Sequence, residues 1–269
     1  MDDMGIGLVS VIMAAYNAEK TVQQAILSAL GQTYRNLEIL VVDDCSTDGT
    51  ADIVKKLAGE DRRIRLFQNR KNRGVSHARK RALENAAGSW VAILDSDDVW
   101  MPEKLEKQIR FQKERNAALI FTGSAFMDAD GRKMGWELHV PEELGYRKLL
   151  KQNLISNSSV LVKKSLYETF YVREERLHED FAVWLTLTKT GVSAYGIDEP
   201  LLIYRLAGAS KSGNKLLAAK MNWNTYRYVG LNVFQTGYYM AWYMVNGVLK
   251  YRNLRKAFRW QSILRRMGK

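Results

Sequence analysis

Short apolar runs alternate with amphipathic stretches through the first 115 residues of the chain. Val9–Met13 reads as a short strand. Asn17 is placed to cap a helix from roughly Ala18 to Leu30, with Gly31 as its stop. Within it Val22, Ile26 and Leu30 recur every four residues and should face a sheet. Leu37–Val42 is apolar enough for a buried strand, and Thr50 opens a helix to about Ala58 that Gly59 ends. Ile64–Phe67 predicts a third strand, Val75–Ala87 a helix closed by Gly88, and Ser89–Leu94 a fourth strand. Pro102, tolerated in a first turn, starts a helix to about Arg115. Such βα alternation predicts a parallel sheet covered by helices.

The pattern changes after Ala118. Leu119–Met127 and Arg132–Val140 look extended, with Asp130-Gly131 as a turn between them. Gly145–Gln152 reads as helix, Ser158–Val162 as strand, and Asp180–Thr190 as a helix stopped by Gly191. This half is mixed α+β and should build onto the edge of the first half's sheet.

Three acidic clusters stand where strands should run out: Asp43-Asp44, then Asp95-Ser96-Asp97-Asp98, then Glu179-Asp180. In open α/β sheets, ligands bind beyond the carboxyl ends of the strands. Carboxylates gathered there repel one another unless a cation or a hydrogen-bonding ligand offsets them. Asp95 and Asp97 lie two apart, so an extended backbone points both the same way. That suits Mg²⁺ or Mn²⁺ held by one or two carboxylates, with phosphate oxygens completing the shell.

The charge is unevenly spread. The net of +12 is made of a body, residues 1–199, at −1 and residues 200–269 at +13, where 13 Lys+Arg stand with no acid. Between Arg227 and Lys250 lie 22 uncharged residues, long enough to approach a membrane span. However, Asn232, Gln235, Thr236 and Asn246 make a poor hydrocarbon core. The stretch is rich in Trp and Tyr, which favour the membrane–water boundary. Phe234, Tyr238, Trp242, Val245 and Leu249 fall on one helical face, and Lys250, Arg252, Arg255, Lys256, Arg259, Arg265 and Arg266 follow. Residues 222–269 therefore predict a helix lying on an anionic membrane surface; a helix packed on the body with a solvated basic end is the alternative. Met1-Asp2-Asp3 does not open a signal peptide. The one cysteine, Cys45, fits a reducing compartment. Together these predict a cytoplasmic protein, peripheral on the inner face of the cell membrane.

Five motifs in order carry a resemblance. They are Val9-Ser10-Val11-Ile12-Met13-Ala14-Ala15-Tyr16-Asn17, Val41-Val42-Asp43-Asp44-Cys45-Ser46-Thr47-Asp48-Gly49-Thr50, Asn72-Arg73-Gly74-Val75-Ser76-His77-Ala78-Arg79, Leu94-Asp95-Ser96-Asp97-Asp98, and Glu179-Asp180 with Tyr204-Arg205. Over residues 8–205 the chain resembles the family 2 glycosyltransferases, inverting enzymes of the GT-A fold that use nucleotide sugars. The resemblance implies a GT-A domain over residues 1–206, with a nucleotide-binding half at about 8–100, an acceptor half at about 101–206, and a basic aromatic tail at 207–269.

The resemblance also implies roles. Tyr16 and Asp44 contact the nucleoside, with Asp43 ranked second and a turn-capping role open for both aspartates. Gly74 allows the backbone close approach to phosphate before a helix N-terminus. Arg79 lies near the nucleotide, or else on a solvated helix face. Asp97 is the surest metal ligand, and Asp95 contacts the metal or the ribose. Asp98 either joins them or caps the next helix. Asp180 is the catalytic base, which takes the acceptor hydroxyl's proton, and Glu179 orients the acceptor or the base. The donor is a nucleotide sugar, with UDP favoured by Tyr16 and Asp44; the acceptor is a saccharide or a lipid-linked saccharide of a cell-envelope glycan.

One departure stands out. Family members often carry a His two residues after the Tyr-Arg pair, and here Tyr204-Arg205 is followed by Leu206-Ala207. Arg205, Ser210, Lys211 or Ser212 is left to meet the diphosphate. Two rival classes fit less well. A sugar nucleotidyltransferase would want a Gly-rich basic loop where Ala14-Ala15-Tyr16-Asn17 stands. A nucleic-acid binder would explain the basic tail but not three acidic clusters, which repel phosphate, so no nucleic-acid partner is expected.

Overall fold

The computed structural model describes residues 6–172, 174, 176–206 and 215–247. Its centre is a ten-stranded mixed sheet. The parallel part holds β1 (Val9–Ala15), β2 (Leu37–Asp43), β3 (Ile64–Gln68) and β4 (Trp90–Ile93). Every residue of β2 and β4 is buried, as expected for strands covered on both faces. Helices α1 (Val22–Leu30), α2 (Thr50–Glu60) and α3 (Val75–Glu84) connect them. Gly88 lets β4 enter beside β1: a Cβ there would stand 2.4 Å from the Leu8 carbonyl oxygen.

The second half interleaves with the first. After β5 (Val99–Trp100) and α4 (Lys104–Arg115) come β6 (Leu119–Met127), β7 (Lys133–Leu138), β8 (Glu143–Leu144), the one-turn α5 (Tyr146–Leu149), a 3₁₀ turn (Asn157–Ser159) and β9 (Leu161–Lys163). Then follow α6 (Lys164–Thr169), α7 (Glu179–Lys189), β10 (Ala194–Arg205) and α8 (Lys215–Tyr228). Residues 233–247 form a last helix, α9. The sheet order is β3-β2-β1-β4-β9-β6-β10-β5, with β7 on β6 and β8 on β10. β9 runs antiparallel to both β4 and β6, so β6 and the parallel β10 point the same way as β4. All their carboxyl ends therefore open on one rim.

Each face of the sheet carries its own core. Val11, Met13, Ile39 and Val41 pack with Val22 and Ile26 of α1, Val54 of α2, and Leu105 and Ile109 of α4. Ile12, Leu40, Val42 and Ile93 pack with Ala78 and Ala82 of α3, and with Phe181, Trp184 and Leu185 of α7. The result is three layers, helix on sheet on helix.

Several expected boundaries move. Asn17 does not cap α1, which starts four residues after Ala18 behind Thr21. It sits instead in left-handed backbone (φ 49°), its N–H donating to Ser46 Oγ and its Oδ1 accepting from the Thr47 N–H. Thr50 is the first residue of α2, behind Gly49, and Gly59 lies within that helix. The helix after Pro102 begins at Lys104. The stretch expected as helix at 145–152 yields only α5, and of the strand expected at 158–162 the first residues turn as a 3₁₀ element.

Candidate active site

The rim at the carboxyl ends gathers the three acidic clusters. Asp95, just past β4, accepts from Arg79 Nη2 at 2.5 Å. Nη1 of the same guanidinium lies 3.4 Å from Glu179 Oε1 at the first turn of α7. Arg79 is buried on α3, so one cation joins two clusters that are 84 residues apart in sequence (179 − 95). Burial works against its charge, but Asp95 and Glu179 outweigh that and raise its pKa above the usual arginine value. Arg79 is thus an interior clamp, and not part of a solvated helix face.

The Asp97 carboxylate accepts no hydrogen bond from another residue among the described residues. Burial first, and then the neighbouring Asp95, push its carboxyl up to about 6. Asp98 is fully buried and does not cap α4; its Oδ1 accepts from the Arg205 N–H at 3.0 Å. Burial, with Asp95 and Asp97 added, holds its carboxyl well above the ordinary range. Asp180 is raised too, by burial first and Glu179 second, while His178 and Arg79 pull it down. Its Oδ1 accepts from the adjoining Phe181 N–H.

Arg205 is turned to a different use from the diphosphate contact expected for it. Its Nε donates to the Asp97 carbonyl at 2.9 Å, Nη1 to the Ala129 carbonyl at 3.2 Å, and Nη2 to Gln24 Oε1 at 2.7 Å. These bonds clasp the acidic loop to α1 and to the β6–β7 turn. Ser210, Lys211 and Ser212 lie outside the described residues.

Tyr16 and Asp44 follow neighbouring strand ends, where the Asp44 N–H donates to the Ala15 carbonyl at 2.8 Å. The Tyr16 ring is 49% exposed and open for stacking. The Asp44 carboxylate is buried and accepts from Asn69 Nδ2 at 2.7 Å, from the Gly74 N–H at 2.7 Å and from the Arg73 N–H at 3.0 Å. It therefore shapes the 69–74 loop, where Gly74 takes a φ of 86° that favours glycine. Asp43 Oδ1 accepts from the Ser46 N–H at 3.3 Å, the turn-capping role.

Sequence reasoning passed over Ser158 and Gln24. Ser158 Oγ accepts from the Asp95 N–H at 3.1 Å, and its carbonyl accepts from Trp100 Nε1 at 2.7 Å. Beside it, both amide atoms of the buried Asn157 lack a partner. The only signal was a run of small polar residues, Asn157-Ser158-Ser159, in front of an apolar strand.

Among the described residues no group of three or more His, Cys, Asp or Glu forms a ready cation cage. The donor set nevertheless suits a cation completed by phosphate oxygens, because the Asp97 carboxylate is crowded by like charge and accepts no hydrogen bond from another of the described residues.

The family model described as "Glycosyl transferase family 2" matches residues 10–167. The chain belongs to glycosyltransferase family 2. Within that family, a Bacillus subtilis (strain 168) protein provisionally named the teichuronic acid biosynthesis glycosyltransferase TuaG is 40% identical over 244 residues, 90% of this chain and 97% of the relative. The Escherichia coli UDP-Glc:alpha-D-GlcNAc-diphosphoundecaprenol beta-1,3-glucosyltransferase WfgD is 35% identical over 255 residues, covering 93% of this chain and 96% of the relative. Among solved structures, S. aureus TarS residues 1–349 with UDP-GlcNAc superposes with a TM-score of 0.67 at 20% identity, over 88% of this chain and 71% of that one. The Pyrobaculum calidifontis mannosyltransferase PcManGT, solved with GDP-Man and Mn²⁺, gives 0.64 at 19% identity, over 81% and 63%. The chain thus has the glycosyltransferase GT-A fold.

Proposed function

We propose that this glycosyltransferase moves a sugar from a UDP-sugar to a hydroxyl of a saccharide or lipid-linked saccharide, with inversion, in cell-envelope glycan synthesis. The observation that carries the reading is the meeting of Asp95, Arg79 and Glu179 beside Asp180 on one rim. Asp180 takes the proton of the acceptor hydroxyl. The hydroxyl oxygen forms the new bond to the anomeric carbon as the bond to the donor phosphate breaks. The bonding pair leaves with the nucleoside diphosphate. A base whose carboxyl is raised by burial holds that proton better than an exposed aspartate would. Glu179, charge-balanced by Arg79, orients the base. Tyr16 stacks on the uracil, and Asp44 and Gly74 shape the pocket edge toward ribose and phosphate, with Asp43 bracing the turn behind them. Asp97, with Asp95, would hold a Mn²⁺ or Mg²⁺, which would offset the negative charge on the departing diphosphate. Arg205 holds the loop that carries Asp97.

The acceptor in this reading resembles the diphosphoundecaprenol-linked sugar in the name of the Escherichia coli relative. The enzyme then works as a peripheral protein at the inner face of the cytoplasmic membrane. Calorimetric titration of UDP, GDP and dTDP, each with and without Mn²⁺, tests the donor side. Metal-dependent binding of UDP alone is expected. Binding of GDP or dTDP in its place would reassign the donor, and binding of none would remove the transferase assignment from this rim.

A further inference from the structure

Helix α9 has two unlike sides. Thr236 is buried, and Tyr239, Met240 and Tyr243 pack against the core. Tyr243 lies 6.1 Å from Phe181, the residue after Asp180, and Tyr226 of α8 lies 5.9 Å from it. Tyr226 also anchors α8 by donating to the Leu150 carbonyl at 2.7 Å. The opposite side is bare. Phe234 is 89% exposed, and Val233, Tyr238, Trp242, Met244 and Val245 are 40–57% exposed. Phe234, Tyr238, Trp242 and Val245, spaced by four, four and three residues, form one stripe that Val233 and Met244 widen. No charged residue stands anywhere in 228–249.

A contiguous apolar stripe of this kind marks an interaction site. Its surroundings say with what. Lys151 Nζ lies 5.1 Å over the Trp242 ring, and Asn246 Nδ2 donates to the Lys151 carbonyl. Arg147 and Lys148, both exposed, precede it on α5. The chain from 200 to 269 adds 13 Lys+Arg and no acid. A second copy seated on the stripe would bring a second set of the same cations to it. An anionic lipid surface complements them, and Trp and Tyr suit its boundary. Among the described residues no helix is long and apolar enough to cross a membrane, so the stripe lies on the surface.

We propose that the outer face of α9, rimmed by Arg147, Lys148 and Lys151, docks the enzyme on an anionic bilayer. This rests on the transferase reading for its purpose and on the helix for its evidence. Because Phe181 packs on the inner side of the same helix, the bilayer would lie about one helix diameter, roughly 10–12 Å, from the start of α7. A sugar on a membrane-held lipid would then reach Asp180 without its lipid leaving the bilayer.

The test is flotation of the full chain with phosphatidylglycerol/phosphatidylcholine vesicles and with pure phosphatidylcholine vesicles. It compares the native chain with the triple variant Phe234→Ser, Tyr238→Ser, Val245→Ser and with Lys151→Glu. Thermal melting and UDP binding confirm that each variant is folded. The native chain should bind anionic vesicles at least tenfold more tightly than neutral ones, and both variants should lose most of that binding. Transfer to a vesicle-borne lipid acceptor should fall tenfold or more in the triple variant, with transfer to a short water-soluble acceptor unchanged. Vesicle binding equal to native in a folded triple variant would overturn the docking face. So would a native dimer in sedimentation velocity that the triple variant dissociates, which would make the stripe a contact between copies. Normal docking with no transfer to either acceptor would leave the dock standing and sink the transferase reading.

Discussion

Arg79 and Asp95 form a 2.5 Å ion pair at the end of β4, and the same guanidinium reaches Glu179 on α7. Two carboxylates from distant parts of the chain are thus balanced by one buried cation. The pair sets both the stability of the rim and the charge felt by Asp180.

Arg79→Met should therefore act on both. Removing one partner of a buried pair leaves the other uncompensated, and a loss of about 3 kcal/mol is expected, at the low end of such cases because the carboxylates keep some water. Arg79 also pulls the Asp180 carboxyl down. Without it, the acid limb of the kcat/KM profile should move to higher pH. Urea unfolding and a pH–rate profile check the two effects; a destabilised variant with an unmoved acid limb would confine Arg79 to a structural role.

Asp180→Asn should lower transfer by at least about 10², with UDP-sugar affinity within a few-fold of native. Single-turnover rates and calorimetry separate the two. Lost donor binding in a folded variant would move the base elsewhere.

Asp97 gives a pH dependence with a definite sign. Its folded carboxyl is raised from 3.8 to about 6, so between those values the folded state holds a proton that the unfolded chain has released. Its contribution to stability is full at low pH and is lost as pH rises through about 6. In metal-free protein, Asp97→Asn should flatten that part of the melting-temperature curve, measured between about pH 4 and pH 7. Above pH 6, Mn²⁺ should raise the native melting temperature and leave the variant unmoved. Parallel curves for the two proteins, with equal Mn²⁺ responses, would take Asp97 out of the metal site.

Arg205→Lys keeps the charge and loses the fork that reaches Asp97, Ala129 and Gln24 at once. A stability loss of roughly 1–2 kcal/mol is expected. Mn²⁺-dependent UDP affinity should drop about tenfold, because the loop carrying Asp97 is no longer held. An unchanged affinity would mean that the loop keeps its shape without the clasp.

The strands at 37–42 and 90–93 were legible because burial on both faces leaves runs that are apolar throughout but for Glu38. The acidic clusters were legible because they follow such runs. What escaped depends on partners far along the chain. Asn17 looked like a local cap, yet its side chain meets Thr47, thirty residues on. Arg205 looked like a phosphate ligand, yet its fork is consumed by carbonyls that no spacing reveals. Tyr226 falls in the stretch from 222 that predicts a surface helix, yet it is buried, its hydroxyl bonded to the Leu150 carbonyl. No pattern announced that β9 would be inserted between β4 and β6, because three residues of strand carry no periodicity of their own.

That insertion, together with the clasp from β10, sets an order on biosynthesis. A nascent chain that has emerged only as far as β4 has its four parallel strands but leaves one edge open, because β9 begins 68 residues after β4 ends. The loop after β4 is held at Asp95 by the earlier Arg79, but Asp97 and Asp98 stay unclasped until the last residue of β10 arrives. The clasp on the loop after β4 is therefore completed late. A product cut short before Arg205 lacks the bonds that clasp Asp97 and Asp98.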